Sequence, residues 1–156
     1  TATTEIYTLS LHDALPICLV ADLVPISIQK DIHIQSGTRK NMPNLLKAVD
    51  ISVSFIEPSF ARQASSPTKM AESFAMGIPV ICNSGVGDIE AQVNNLSGGI
   101  VIDSLSDEAL DDLSSNLDKI INQGGIRLRR ASKEYFDLNI ANERYKMIYN
   151  DILGAN

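Results

Sequence analysis

The chain has two cysteines and two histidines in 156 residues. Cys18 and Cys82 stand too far apart for a zinc-binding pair, and two thiols make no disulfide framework. No histidine falls in a triad order with Cys82, which reads as a small core residue inside an apolar strand. No cluster suits a metal ion. No apolar run reaches the ~18 residues that a membrane-spanning helix needs. Thirteen Lys and Arg against nineteen Asp and Glu give a net charge of −6. Without a basic stripe the chain lacks the electrostatic footprint of a nucleic-acid binder. Its one basic cluster, Arg127, Arg129 and Arg130, reads as a solvated helix face. No internal repeat, low-complexity tract or linker divides the chain, so it reads as one unit with enough length for a core.

Apolar runs alternate with helical patterns. Strands are expected at 31–35, 51–56, 80–82 and 100–102, the first with His33 pointing outward. Helices are expected at 44–49, with Pro43 in the first turn, at 68–76, and at 89–93. Beyond residue 105 the pattern is helical throughout. Ser106 caps one helix that runs to Gly124, with Leu110, Leu113, Leu117, Ile120 and Ile121 at helical spacing. Two more helices cover 126–135 and 139–153. Strands alternating with helices imply a Rossmann-like α/β fold, a three-layer parallel sheet with helices on both faces and a helical C-terminal tail. Ligands of such sheets bind at the carboxyl ends of the strands.

The segment 66–81 carries the chemistry. Its loop ends at Pro67, its helix stops at Gly77, and a buried strand begins at Pro79. Lys69 and Glu72 are three apart and share a helix face near the N-terminus. Free N–H groups and the positive dipole end suit a phosphate there. Ser65, Ser66 and Thr68 bring hydroxyls to the same place, where Ser66 would serve equally well as a helix cap. Residues 83–88, Asn-Ser-Gly-Val-Gly-Asp, turn the next strand back into a helix. The glycines read as backbone geometry and Asp88 as a cap.

The order Ser-Pro-x-Lys, then Glu, then Gly-x-Pro-Val resembles the donor-nucleotide site of retaining GT-B glycosyltransferases (the group 1 family), specifically their C-terminal domain. The resemblance implies a nucleotide-sugar donor, transfer of a sugar to an acceptor hydroxyl with retention, and no metal or other cofactor. It implies that Glu72 accepts the ribose hydroxyls, that Lys69 neutralises diphosphate charge or holds Glu72, and that Ser65, Ser66 and Thr68 contact phosphate or sugar. It also implies that Ser36 and Gly37, in the loop 36–38, lie against the base, a loop that reads equally as a plain turn. Many relatives carry a second Glu where this chain has Ala64, a departure that leaves the donor sugar open. No catalytic residue is assigned, because the acceptor-binding domain of the family is missing. Two rivals remain: a sugar-nucleotide epimerase of the same architecture, and a flavodoxin-like or receiver-like binding module.

Residues 1–17, TATTEIYTLSLHDALPI, resemble one translated frame of a common short-read sequencing adapter, whose leftover T begins a Cys codon, as at Cys18. That likeness implies a non-native, unstructured segment in which Glu5, His12 and Asp13 carry no function. Residues 18–156 are then a partial nucleotide-sugar-binding domain. Its implied partners are the donor, an unknown acceptor and a missing N-terminal domain, and nucleic acid is not among them. The expected compartment is the cytoplasm, with peripheral membrane attachment of the parent left open.

Overall fold

The computed structural model describes residues 6–9, 25–35, 37–38, 40–66 and 68–154. They form a mixed α/β chain in two compact units, Thr1–Val49 and Asp50–Asn156.

In the first unit, β1 (Ile6–Leu9) pairs in parallel with β2 (Ile32–Gln35), Ile6 opposite Ile32 and Leu9 opposite Gln35. The sequence reads 1–17 as unstructured. Of that segment Ile6–Leu9 forms a strand, in keeping with the β preference of Ile, Tyr and Thr, and its other residues lie outside the described ones. One turn of helix, α1 (Ile26–Gln29), precedes β2. Helix α2 (Met42–Leu46) carries Pro43 in its first turn, where the missing N–H costs no hydrogen bond. Gly37 lies against this helix, since a Cβ there would fall 2.7 Å from Leu45 Cδ1.

The second unit holds a parallel sheet in the order β3 (Ser52–Ser54), β4 (Val80–Asn83), β5 (Gly99–Ile102). The register sets Ser52 opposite Val80, and Val80 opposite Gly99. The single sheet expected across 31–102 is therefore two, with β2 paired to β1 in the other unit. Helix α3 (Thr68–Met76) connects β3 to β4, and α4 (Ile89–Leu96) connects β4 to β5. Val80, Ile81 and Cys82 of β4 are all buried. A central parallel strand covered on both faces needs this unbroken apolar run rather than an alternating one. The core gathers Met70 and Phe74 of α3, Val80 and Cys82 of β4, Val93 and Leu96 of α4, and Leu128.

Leu128 belongs to α7 (Ile126–Phe136), which packs on α3 and brings Phe136 to 6.2 Å from Phe74, ring centre to ring centre. Between the sheet and α7 the expected single helix is two, α5 (Asp107–Ser115) and α6 (Leu117–Ile121). The break falls at Asn116, whose side-chain amide donates to the Asp112 carbonyl at 2.7 Å. A short amide side chain that competes for backbone groups favours such an interruption. Ser106 caps α5 as expected, accepting from the Ala109 N–H. The last helix, α8 (Leu138–Leu153), buries none of its residues. Leu138, Tyr145, Ile148 and Ile152 repeat along it at helical spacing and all are exposed.

Arg127 is exposed, as expected of the basic cluster, but it is not free. Its guanidinium donates to the carbonyls of Leu96, Ser97 and Gln123 at 2.7–2.9 Å, tying α7 to the C-terminal ends of α4 and α6. A cation suits that negative end of a helix dipole. The end of α3 is closed differently. The Gly77 N–H donates to Phe74 O and the Ile78 N–H to Ser73 O, both at 2.9 Å, with Gly77 at φ +80°. This paired closure needs a left-handed residue. Gly77 O in turn accepts the Gly125 N–H at 2.7 Å, and a Cβ on Gly77 would fall 2.6 Å from Gly125 O. Gly77→Ala is expected to destabilise the chain by about 1–3 kcal/mol through strain and displacement of Gly125, read as a lower urea midpoint. An unchanged midpoint would refute the interlock.

Candidate functional site

The ladder between β3 and β4 ends at Ser54 and Cys82. Beyond it the strands part, and one side chain spans the gap. Asn83 Oδ1 accepts the Ile56 N–H and Asn83 Nδ2 donates to the Ile56 carbonyl, both at 2.8 Å. The amide thus mimics one more backbone rung while the chain leaves the sheet. It completes the backbone pairing at the carboxyl edge, where parallel sheets place their ligands.

Two loops meet there. Residues 55–66 include a 3₁₀ turn, Ala61–Ala64, and residues 84–88 lead into α4. Gly87, at φ +47°, is so close to the other loop that a Cβ would run into the Ser65 carbonyl oxygen. Gly85 faces Pro58. Gln92, one turn into α4, donates to Ser66 Oγ at 3.4 Å and to the Asp88 carboxylate. Asp88 sits at the cap position of α4 without bonding a helix N–H through its side chain. It holds Gln92 instead, which corrects its reading as a cap. The other amide atom, Gln92 Oε1, is buried without a hydrogen-bond partner in the structure.

The expected residues distribute as follows. Thr68 and Lys69 open α3 and are exposed, and Glu72 is exposed one turn on. Met70, Ser73 and Phe74 are the buried face of the same helix, so Thr68, Lys69 and Glu72 point together to the outside. No ion pair joins Lys69 to Glu72; the described residues show such a pair between Lys146 and Glu143. Ser65 is half-buried and donates its hydroxyl to Arg62 O. Ser66 is exposed and accepts from Gln92, with no described α3 N–H donating to it, so its capping reading gives way to a bridge between the two loops. Ala64 ends the 3₁₀ turn, exposed. Gly37 belongs to the first unit, and Ser36 lies outside the described residues. The structure thus sets Ser65 against Gly87 and Ser66 against Gln92, with Thr68, Lys69 and Glu72 on the exposed face of the helix that follows.

Three residues of this edge escaped the sequence reading. Asn83 and Gln92 act through contacts with residues 27 and 26 positions away, which no local pattern marks. Phe60 is 90% exposed in the loop 55–66. An aromatic among small polar residues was the available signal for it.

Cys82 is 1% exposed at the centre of the sheet. Burial, and next the negative charge of Glu90, push its thiol up from 9.0 to about 11. The neutral thiol is favoured there, which opposes a nucleophilic role. Because the folded-state value is raised, this contribution to stability is present below pH 9.0 and is lost as the pH climbs towards about 11. In a Cys18→Ser background, Cys82 is expected to resist a thiol reagent at pH 8 until urea unfolds the chain. Rapid labelling of the folded protein would contradict its burial.

Among the described residues no group of three His, Cys, Asp or Glu is placed to hold a metal ion, and no helix is long and apolar enough to cross a membrane. No protein-family model, no curated protein and no solved structure matches the chain.

The geometry of the edge depends on Asn83. Asn83→Ala would leave the Ile56 N–H and carbonyl without their partner and is expected to cost about 1–3 kcal/mol. Asn83→Asp keeps the acceptor for the N–H and loses the donor, so it should fall between. Equal stability of all three proteins in urea titration would show that the amide does not hold the edge.

Proposed function

We propose that this chain binds the nucleoside diphosphate part of a nucleotide-sugar, as the donor-binding portion of a retaining GT-B-like glycosyltransferase. One observation carries the reading: Thr68, Lys69 and Glu72 share the exposed face of α3, whose first turn follows β3 through the loop 55–66 that meets the glycine turn 84–88 at Ser65. A diphosphate would meet the first-turn N–H groups and Lys69. The Glu72 carboxylate would take two vicinal ribose hydroxyls in charge-assisted bonds. Ser65 and Ser66 add neutral hydroxyls next to Ala64, the position at which many of the glycosyltransferases it resembles carry a second Glu. In the parent, transfer would rest on positioning and on stabilising the leaving diphosphate. The exposed apolar stripe of α8 supports a parent in which a further domain covers it. Binding without transfer is the rival reading, and it uses the same residues.

Calorimetric titration with uridine, adenosine and guanosine diphosphates tests the proposal. One of them is expected to bind, and Glu72→Ala is expected to weaken it by ~1.5–3 kcal/mol, roughly 10- to 150-fold. Failure of all three to bind would overturn the proposal. Binding unaffected by Glu72→Ala would remove Glu72 from the site.

A further inference from the structure

Helix α7 carries four cations, and they divide sharply by use. Arg127 is held by three backbone carbonyls. Arg129, Arg130 and Lys133 are exposed, and among the described residues none of them makes an ion pair. These three line one side of a groove of about 380 Å3. Ile126, Phe136 and Ala75 of α3 give the same groove an apolar surface. Along α7 the lining positions 126, 129, 130, 133, 136 and 137 recur at helical spacing, so they form one continuous stripe.

We propose that this groove is a second binding site, for a phosphoryl group attached to an apolar or aromatic portion. Three cations within about one turn of helix set up a positive local field for a dianion, tempered by Glu134, the exposed acid of α7 that follows Lys133. Two guanidinium forks match phosphate oxygens, and an ammonium adds a point charge. The groove is open to solvent and combines apolar side chains with directed charged groups. Phe136 is a fixed wall rather than a free ring, because it packs against Phe74. Asp137 closes that end, with its Oδ1 accepting the Asn139 N–H at the start of α8. Its negative charge keeps the anion away from the Phe136 end. The phosphoryl group therefore seats on Arg129, Arg130 and Lys133, and the apolar portion lies toward Ile126 and Ala75. Ala75 is seven residues beyond Thr68, about 10 Å along α3, so the groove is separate from the first turn of that helix. It does not depend on the nucleotide reading.

The shared chemistry has two sources, a soluble organic phosphate or the headgroup of a phospholipid. The test uses the full chain and two probes, phenyl phosphate and vesicles of phosphatidylcholine with or without phosphatidic acid. Amide chemical shifts should move over 126–137 on titration with phenyl phosphate, or the chain should sediment with phosphatidic acid vesicles alone. The first result assigns a soluble ligand and the second a headgroup. The double variant Arg130→Gln/Lys133→Gln should weaken whichever binding occurs at least tenfold, while Lys69→Ala leaves it unchanged. Ile126→Ser, at a 62% exposed position where folding is little affected, should weaken phenyl phosphate severalfold and leave inorganic phosphate unaltered. The proposal falls if neither probe binds, if the double variant binds as well as the parent chain, or if the shifts map to 68–72. Equal affinity for phenyl and inorganic phosphate would overturn its apolar half.

Discussion

Everything in the second unit depends on the burial of one strand. β4 is covered on both faces and paired on both edges, so its apolar side chains and its backbone groups are all committed. A buried backbone group without a partner costs about as much as a lost hydrogen bond. The ladder therefore cannot simply stop where β3 and β4 diverge, and the Asn83 amide supplies the rung that is missing. The path of the two loops at the edge of the sheet is in this sense a consequence of how β4 ends. The loops that leave on either side must then pass close together, which is why Gly87 has no room for a side chain beside Ser65.

The helices are fixed to that strand by their ends as much as by their faces. Gly77 and Gly125 join the end of α3 to the start of α7 through a backbone bond. Arg127 joins α7 to the ends of α4 and α6. Both contacts sit at the end of α3 opposite its first turn. One end of α3 is thereby locked by main-chain geometry, while Thr68, Lys69 and Glu72 at the other remain in solvent. A rigid helix with an uncommitted first turn is the arrangement that anion recognition by helix dipole and N–H groups requires.

Much of this was legible in the sequence where periodicity and punctuation act locally. The buried run at 79–82, the stop at Gly77, the cap at Ser106 and the exposed face shared by Lys69 and Glu72 all follow from residues within a turn of one another. The misses share a cause. Asn116 divides a helix because its side chain takes the Asp112 carbonyl, a competition invisible to hydrophobic spacing. The partners of Arg127 at Leu96 and Ser97 are about thirty residues away. The pairing of β2 with β1, rather than with the second-unit sheet, is likewise a long-range choice that strand propensity cannot make.

A chain of net charge −6 is a poor general attractor of anions, so its anion chemistry has to be local. At physiological ionic strength charges are screened beyond about 8 Å. The distant carboxylates then matter little to a phosphate seated on α3 or α7, and the nearest groups decide. On α3 the nearest groups are one lysine and a helix end, with Glu72 a turn away as a counter-charge that a ribose would have to satisfy. On α7 they are three cations with Glu134 exposed beside Lys133, and then Asp137, which is already engaged by α8. The first arrangement favours a ligand that brings hydroxyls beside its phosphates, and the second one that brings apolar surface. The two proposed sites would thus select different molecules despite sharing an attraction to phosphate, because what surrounds the cations differs.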